Sequence, residues 1–456
     1  MISFERSQGR FYRKGLAWLS LLLAATILSA LSPAVPALAQ IYQGFGVDTP
    51  GGQHQPVYHV TNLDDSGPGS LRDALSQGNR NIQFDLAGDI FLLDVIRIRA
   101  AFITIDGFTA PAPGITLRNY GIQMEGNRGA HDIIVRGIRV RGSGNSTDTV
   151  SSDGISIVKG AYNVVVDHVS IDGSEDGNLD IGTDVHDVTV SWSVFTGGKG
   201  NMLVKYNTSR VTLHHNLFAN SVQRSPTASV DDVGTLATDT TVDMRNNVVW
   251  GWGGGMGTTI SLGARANIVD NLFAAAGGDQ KDALAVKSNG RAFVMDNVSL
   301  DYFDFSSQAT EAIAFAAPIV DTTEACAAAR DVVAAAGVIP RDAVDQQHLA
   351  GISIPADPCV IPPEITSPAP GSVLSGADVN FIWRPNLAKV KDWRIYIGST
   401  RGAKDILDSG NLDANKTSRI FRRLPVDGRP IWVQLRYHLV GHWNFVDFQY
   451  TAHKKN

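Results

Sequence analysis

The stretch Asn163-Val-Val-Val-Asp-His-Val-Ser-Ile recurs 24 residues later as Asp187-Val-Thr-Val-Ser-Trp-Ser-Val-Phe, and 23 residues after that as Arg210-Val-Thr-Leu-His-His-Asn-Leu-Phe. Apolar residues alternate within each copy, as in a strand with one buried face. Five further copies have the same phase: Ile103-Thr-Ile-Asp-Gly-Phe, Ile133-Ile-Val-Arg-Gly-Ile, Val242-Asp-Met-Arg-Asn-Asn, Ala266-Asn-Ile-Val-Asp-Asn and Ala292-Phe-Val-Met-Asp-Asn. Such a repeat with sharp polar turns predicts an all-β fold, a right-handed parallel β-helix.

One phase of the later repeats is always asparagine, at Asn216, Asn247, Asn271 and Asn297. Amides stacked at the same corner of successive coils can hydrogen-bond along the stack. We therefore expect an asparagine ladder. A solenoid must also close its ends. Ser70-Leu-Arg-Asp has the spacing of a capping box and predicts a short helix over the first coil, and the Ala-rich residues 322–336 predict a helix over the last coil.

Three segments define the domain organisation. Residues 1–39 carry four basic residues before an apolar run and end in Ala-Leu-Ala, which predicts a signal peptide. Residues 40–360 form the β-helix with its caps. After Pro362-Pro363, residues 364–456 show short alternating runs between Pro and Gly turns, which predicts an immunoglobulin-like or fibronectin-III-like β-sandwich. Its tryptophans could fill the core or form a sugar platform, and both interpretations stay open: Trp383, Trp393, Trp432 and Trp443.

The charge balance restricts the partners. Without residues 1–39, the chain has 35 Lys and Arg against 44 Asp and Glu, a net charge of −9. This argues against a nucleic-acid partner, and no later segment is apolar for long enough to span a membrane. We expect a secreted monomer, located outside the cell, in the periplasm or at the cell surface. The chain has two cysteines, Cys326 and Cys359, which could form one bridge in an oxidising compartment.

A charged row runs through the repeats. Asp176-Gly-Asn-Leu-Asp places two carboxylates four residues apart, and Asp153 lies at a comparable phase on the preceding coil. Residues i and i+4 of a strand point to the same side, so Asp153, Asp176 and Asp180 could converge on Ca²⁺. Exposed turn residues are the alternative. Lys199 and Arg224 follow on the next two coils and suit a substrate with repeating carboxylates.

At these residues the chain resembles polysaccharide lyase family 1, the pectate lyases. The resemblance covers residues 41–350 and rests on these motifs: Gly44-Phe-Gly-Val-Asp-Thr-Pro-Gly-Gly, Val57-Tyr-His-Val-Thr-Asn-Leu-Asp-Asp-Ser-Gly-Pro-Gly-Ser-Leu-Arg, Thr104-Ile-Asp-Gly-Phe-Thr-Ala-Pro, Val166-Asp-His-Val-Ser, Asp176-Gly-Asn-Leu-Asp, Gly198-Lys-Gly, His214-His-Asn-Leu-Phe and Gln223-Arg-Ser-Pro. It implies a Ca²⁺-assisted β-elimination on an acidic, pectate-like polysaccharide.

The resemblance also implies roles for single residues. Asp153, Asp176 and Asp180 match the family's Ca²⁺ ligands. Lys199 matches the residue that contacts the substrate carboxylate and the glycosidic oxygen, and Arg224 matches the base that takes the C5 proton of galacturonate. We expect Lys205 to contact substrate together with Lys199 and Arg224. The pair Asp167 and His168 is interpreted as supporting structure.

Three positions depart from the family pattern. Ser229 stands where a second arginine is common, Ser151 replaces a carboxylate, and Gly197 replaces a frequent histidine. These differences leave two alternatives open. One is a non-catalytic carbohydrate-binding or surface protein that retains the scaffold, and the other is a β-helix glycoside hydrolase, which would need clustered carboxylates as acid and base.

Overall fold

The computed structural model describes residues 42–142, 153–230, 236–254, 256–276, 282–301, 303, 305–355, 363–385, 390–439 and 442–455. The predicted signal peptide, residues 1–39, lies outside the described residues. No helix among the described residues combines the length and the apolar character that crossing a membrane requires.

Three parallel sheets build the larger part of the described chain. The first sheet has ten strands, in the order β1 (Val57–Val60), β2 (Arg80–Phe84), β5 (Ile103–Asp106), β8 (His131–Arg136), β11 (Tyr162–Asp167), β14 (His186–Ser191), β17 (Ser209–His214), β20 (Val242–Arg245), β23 (Arg265–Val269) and β26 (Arg291–Met295). The second sheet has eight strands, β4 (Ile96–Ile98), β7 (Ile122–Glu125), β10 (Ile155–Val158), β13 (Gly177–Gly182), β16 (Gly200–Lys205), β19 (Thr227–Ser229), β22 (Met256–Ser261) and β25 (Asp282–Val286). The third sheet has nine strands, β3 (Gly88–Phe91), β6 (Ile115–Arg118), β9 (Ile138–Arg141), β12 (Ser170–Asp172), β15 (Val194–Thr196), β18 (Leu217–Ala219), β21 (Val248–Trp250), β24 (Leu272–Ala274) and β27 (Val298–Ser299).

The register of the sheets follows the repeat of the sequence. Eight successive coils of the described chain, from β2–β4 to β23–β25, contribute one strand to each sheet. Val164 pairs with Val188, which pairs with Val211 in the next coil. The inward side chains of all three sheets form one continuous apolar core. The predicted parallel β-helix is therefore confirmed, because residues at equal phase lie one strand spacing apart along its axis.

The expected asparagine ladder is present at the corner between the first and third sheets. Asn216 Nδ2 donates to Asn247 Oδ1 at 3.0 Å, and Asn247 Nδ2 donates to Asn271 Oδ1 at 3.0 Å. Asn271 Nδ2 donates to Asn297 Oδ1 at 2.9 Å. Each of these oxygens also accepts the backbone N–H of the preceding asparagine. The ladder thus satisfies buried backbone and side-chain groups together.

The helices fulfil the sequence predictions in part. Helix α1 (Leu71–Ala74) begins after Ser70, whose Oγ accepts from Asp73 N at 3.2 Å as the capping box requires. Two 3-10 turns, η1 (Gly107–Thr109) and η2 (Gly126–Arg128), lie in the corners of early coils. Beyond the third sheet come α2 (Ala325–Ala335) and α3 (Ala343–Leu349).

The prediction that the Ala-rich helix covers the last coil is wrong. The buried side chains of α2 pack against outward apolar residues of β15, β18, β21 and β24, so the helix contacts strands of several coils. Its small residues let the helix lie flat against the third sheet. The turn η3 (Phe305–Gln308) instead covers the last coils, with Phe305 in the main core and 5.1 Å from the ring of Phe273.

The structure describes one of the two cysteines of the predicted bridge. Cys326 lies in α2, is fully buried and is disulfide-bonded. The other cysteine of the chain, Cys359, lies outside the described residues. The bridge between them stays a prediction.

Residues 363–455 contain two antiparallel sheets around a second apolar core. One sheet contains β28 (Glu364–Ser367), β29 (Val379–Arg384) and β33 (Ser418–Phe421). The other contains β30 (Asp392–Gly398), β31 (Leu407–Asp408), β32 (Leu412–Asp413), β34 (Pro430–Leu439) and β35 (His442–Thr451). The tryptophans divide between the core and the surface. Trp383 and Trp393 are buried in the core, whereas Trp432 and Trp443 are partly exposed.

Candidate active site

Three carboxylates converge on the second sheet. Asp153 lies two residues before β10 begins, Asp176 directly precedes β13, and Asp180 lies within β13. One carboxylate oxygen from each residue lies within 4.8 Å of the others. The convergence predicted from spacing is therefore present, because parallel pairing sets the Asp153 coil directly beside the Asp176 and Asp180 coil.

Hydrogen bonds between and within coils orient these carboxylates. Asp153 Oδ1 accepts from Gly177 N at 3.0 Å, and Asp153 Oδ2 accepts from Ser156 Oγ at 2.7 Å. Asp180 Oδ1 accepts from Leu203 N at 3.1 Å. Each bond ties an acidic side chain to a strand or to the start of one, so the cluster is positioned by rigid sheet structure.

The two predicted cations contact the acidic cluster itself. Arg224 Nη1 donates to Asp176 Oδ1 at 3.0 Å and lies 3.7 Å from Asp180 Oδ2. Lys199 Nζ lies 3.7 Å from Asp176 Oδ1. Arg224 has a left-handed backbone with φ of 60°, a conformation that costs a non-glycine residue free energy. Two cations thus contact two of the three clustered carboxylates, Asp176 and Asp180.

Burial and mutual repulsion oppose ionisation of two of the three acids. Burial raises the pKa of Asp153, and the neighbouring Asp176 raises it further. Burial and then the charge of Asp153 raise the pKa of Asp180 well above its ordinary value, while Arg224 acts in the opposite direction. Carboxylates crowded in this way bind a proton or a metal cation favourably.

Lys205, which was predicted to bind substrate, lies on the same sheet face but outside the acidic cluster. It ends β16, where it pairs with Gly182, while Asp180 pairs with Leu203 two residues earlier. Two strand residues span about 7 Å. Its Nζ lies 4.5 Å from the centre of the Tyr206 ring. Lys205 therefore flanks the cluster along the strand direction.

The structure gives a physical reason for one departure from the family pattern. Gly197 has φ of +60°, and a Cβ built there would lie 2.6 Å from Asp172 Oδ1. Asp172 is held by Thr196 Oγ1 and by His348, both at 2.9 Å. No side chain fits without displacing this carboxylate. Ser229 is buried at the end of β19, and Ser151 lies outside the described residues.

A second ladder of buried polar side chains lies beneath the charged residues, and the repeat pattern had not been used to predict it. Asn178 Nδ2 donates to Asn201 Oδ1 at 3.1 Å, and Asn201 Nδ2 donates to Ser225 Oγ at 3.0 Å. These three residues lie 23 and 24 residues apart, at the spacing of the coils. The same offsets that revealed the asparagine ladder could have revealed this second one, which lies under the coils of Asp176, Lys199 and Arg224.

Asp167 and His168, which were interpreted as supporting structure, contact neighbouring side chains on the first sheet. Asp167 Oδ2 lies 2.9 Å from His168 Nδ1, and Asp167 Oδ1 accepts from Ser191 Oγ at 2.7 Å. The His168 ring stacks on Trp192 with centroids 6.0 Å apart. These contacts are on the first sheet, away from the carboxylate cluster on the second.

Fold and site together define a class: parallel β-helix proteins with a mixed carboxylate and cation site on one sheet. Among known proteins, the chain is 36% identical over 257 residues to a probable pectate lyase C of Aspergillus fumigatus, covering 54% of this chain and 56% of that protein. It is 33% identical over 300 residues to a probable pectate lyase C of Aspergillus terreus, covering 64% of this chain and 65% of that protein. The resemblance to pectate lyases is thereby confirmed, although the chain spans only about half to two thirds of these relatives.

Solved structures agree on the fold. The cedar pollen allergen Jun a 1 superimposes with a TM-score of 0.54 at 20% identity, covering 65% of this chain and 93% of the allergen. A mutant of the Bacillus subtilis pectate lyase gives a TM-score of 0.52 at 14% identity, covering 65% of this chain and 96% of that one. At these identities the likeness shows the β-helix fold alone. No protein-family model matches the chain.

Proposed function

We propose that the chain is a secreted polysaccharide lyase that cleaves polygalacturonate, or a related uronate polymer, by Ca²⁺-assisted β-elimination. The observation that carries this proposal is the contact of Arg224 and Lys199 with the carboxylate cluster of Asp153, Asp176 and Asp180 on one sheet face. The pectate lyase names of the relatives support it. The basic residues and apolar run of residues 1–39 support secretion.

The acidic cluster fits Ca²⁺ by its chemistry and by its size. Ca²⁺ prefers oxygen ligands at about 2.3–2.6 Å. Two oxygens that share such an ion lie no more than about 5 Å apart, and the three carboxylate oxygens here lie within 4.8 Å of one another. Burial and mutual repulsion also raise the pKa of Asp153 and Asp180, which supports the binding of positive charge there. When bound, Ca²⁺ would neutralise a substrate carboxylate and acidify the adjacent C–H.

Lys199 and Arg224 have different roles in the proposed elimination. Lys199 pairs with a substrate carboxylate and stabilises the negative charge that develops as the C5 proton leaves. Arg224 accepts that proton. The C5–H electron pair forms the C4–C5 double bond, and the bond from C4 to the glycosidic oxygen breaks. The leaving oxygen takes a proton from solvent, so a shortened chain and an unsaturated uronate result.

Binding of a cation would change the environment of Arg224. Asp176 Oδ1 is shared by Arg224 and Lys199. A cation held by the same oxygens would compete with both side chains and free them for substrate. Arginine is a difficult base because it is almost always protonated, so this role requires nearby positive charge, such as a bound cation together with Lys199, to disfavour a further charge.

Lys205 is proposed to contact a neighbouring uronate unit. It lies on the same sheet face as Asp180, and a cation about 7 Å along the strand suits the next carboxylate of a polyanion. Its role is therefore binding, with no part in proton transfer.

The decisive experiment measures ultraviolet absorbance of the unsaturated product from polygalacturonate, with Ca²⁺ and with a chelator. We expect Ca²⁺-dependent product from the native chain and a loss of at least about 100-fold for Arg224→Lys, the usual range for a proton-transfer group. Arg291→Lys is the matched control, since Arg291 pairs with Glu311 on the first sheet.

The same assay separates the alternative functions. New reducing ends without ultraviolet absorbance would identify a hydrolase. Binding of polygalacturonate without turnover would identify a non-catalytic binding protein. Full activity of Arg224→Lys would remove Arg224 from the role of base.

A further inference from the structure

One face of the C-terminal sandwich is rich in aromatic and basic side chains. In β30, Trp393, Ile395 and Ile397 face the core and are fully buried, so the alternate residues point away from it. The same alternation holds in β34 and β35. We call the aromatic and basic residues Arg394, Tyr396, Trp432, Arg436, Trp443 and Phe445 of this outward set the cationic aromatic face. The outward set also contains Asp392, which lies beside His438, and Asp447, which pairs with Arg401.

Three cations surround one ring of this face. The Arg394 and Arg436 guanidinium carbons lie 5.2 and 4.9 Å from the centre of the Tyr396 ring, and Lys404 Nζ lies 5.2 Å from it. Arg436 is also 5.9 Å from the ring centre of Phe445, which is 52% exposed. Rings that hold arginine side chains in place also present apolar surface beside a charged group.

Arg436 retains its charge for a ligand. It lies directly opposite Arg394 in the strand register, and like charges in such a pair are destabilising. Arg394 is neutralised by Asp408, with Nη2 to Oδ2 at 2.7 Å. Arg436 donates to the neutral Gln434 Oε1 at 3.0 Å, and within the described residues it forms no ion pair.

The net charge of residues 364–456 is opposite in sign to that of residues 40–363. Residues 364–456 contain 14 Lys and Arg against 8 Asp and Glu, a net charge of +6. Residues 40–363 contain 21 Lys and Arg against 36 Asp and Glu, a net charge of −15. A positive domain in an otherwise negative chain points to an anionic partner.

We infer that the cationic aromatic face binds an acidic polysaccharide, with Arg436 pairing with uronate carboxylates while the exposed rings contact the apolar faces of the sugars. The choice of a polyuronate rests on the proposed function, because a polyanion cleaved by the β-helix is the anion that this domain would meet. The face is separate from the carboxylate cluster and has no part in elimination.

The test measures how strongly polygalacturonate retards the full chain in affinity gel electrophoresis. The buffer contains a chelator, so that Ca²⁺-dependent cleavage does not consume the polymer. We expect the Arg436→Gln/Phe445→Ala double variant to bind at least about tenfold more weakly, the loss expected for one charged contact. Arg422→Gln is the matched control, since it removes one exposed arginine that follows β33 in the other sheet. This control should bind as the native chain does. Circular dichroism checks that each variant is folded.

The outcomes separate this inference from the proposed function. Weaker retardation of the double variant with unchanged turnover of trigalacturonate supports a separate binding face. If the native chain shows no lyase activity but the double variant still binds more weakly, the binding face is supported and the proposed lyase function is rejected. The inference is overturned if the double variant binds as the native chain does, or if Arg422→Gln weakens binding equally. It is also overturned if inorganic polyphosphate or neutral galactan retards the chain as strongly, or if sedimentation shows that the double variant has only lost self-association.

Discussion

Arg224 Nη1 donates to Asp176 Oδ1 across two coils of the β-helix, with a distance of 3.0 Å over a sequence separation of 48 residues. The proposed base and a proposed Ca²⁺ ligand are therefore ion-paired to each other. Because Lys199 shares the same carboxylate oxygen, the three residues form one electrostatic unit, and a change in one alters the other two.

The first prediction concerns Ca²⁺ binding. A ligand that binds the folded state raises its stability, by about 2.7 kcal/mol when its concentration is 100 times the dissociation constant. We expect Ca²⁺ to raise the thermal unfolding midpoint of the native chain, and Asp176→Asn to lose most of this rise. Asp89→Asn serves as control because Asp89 pairs with Arg118 at 2.9 Å on the third sheet. An equal rise in both variants would contradict the assignment.

The second prediction concerns the buried ladder beneath the site. Asn201→Ala removes the two buried hydrogen bonds that link Asn178 to Ser225 through this amide, which should cost about 1–3 kcal/mol of unfolding free energy and reduce turnover by the folded enzyme. Asn247→Ala breaks the other ladder and should cost a similar free energy while turnover stays unchanged. Denaturant unfolding and product formation under native conditions measure the two effects. Equal losses of turnover would show that the ladder beneath the site has no special positioning role.

The third prediction concerns Gly197, whose φ is +60° and whose added Cβ would meet Asp172 at 2.6 Å. Gly197→Ala should lower the unfolding free energy by more than the roughly 1 kcal/mol that a left-handed alanine costs. Gly160 has φ of +76° and its nearest contact at 4.0 Å, so Gly160→Ala isolates the backbone cost. Similar losses in the two variants would mean that Asp172 moves aside freely.

The fourth prediction concerns acid stability. Burial lowers the pKa of His214 to about 3 and that of His215 to about 4. A histidine in the unfolded chain titrates near pH 6.5, so between these values the unfolded state binds more protons. The stability contribution is therefore complete above about pH 6.5 and is lost as the pH falls toward 4.

The measurement is the urea midpoint as a function of pH. His214→Asn removes one of the two groups, so its midpoint should fall less than that of the native chain between about pH 7 and 5. Leu93→Ala changes an exposed side chain that does not ionise and should leave the slope unchanged. A native midpoint independent of pH over this range would contradict the buried neutral state of these side chains.

Much of the site could be predicted because a solenoid converts sequence period into spatial rows. The offsets of 24 and 23 residues brought Asp153, Asp176 and Asp180 together, since parallel pairing stacks equal phases. Long side chains are different. The period placed Arg224 on the correct coil, but the bend of its side chain toward Asp176 depends on the local potential of three crowded carboxylates.

The sequence by itself determined the repeat, the order of the coils, the asparagine ladder and the row of charged residues, because each depends on local alternation and a fixed spacing. Only the tertiary structure decided the position of α2 against the third sheet, the division of the tryptophans between core and surface, and the pairing of Arg224 with Asp176. These features depend on which surfaces remain to be covered once the coils have formed. That information belongs to the folded molecule, because packing and charge act between residues that no fixed period relates.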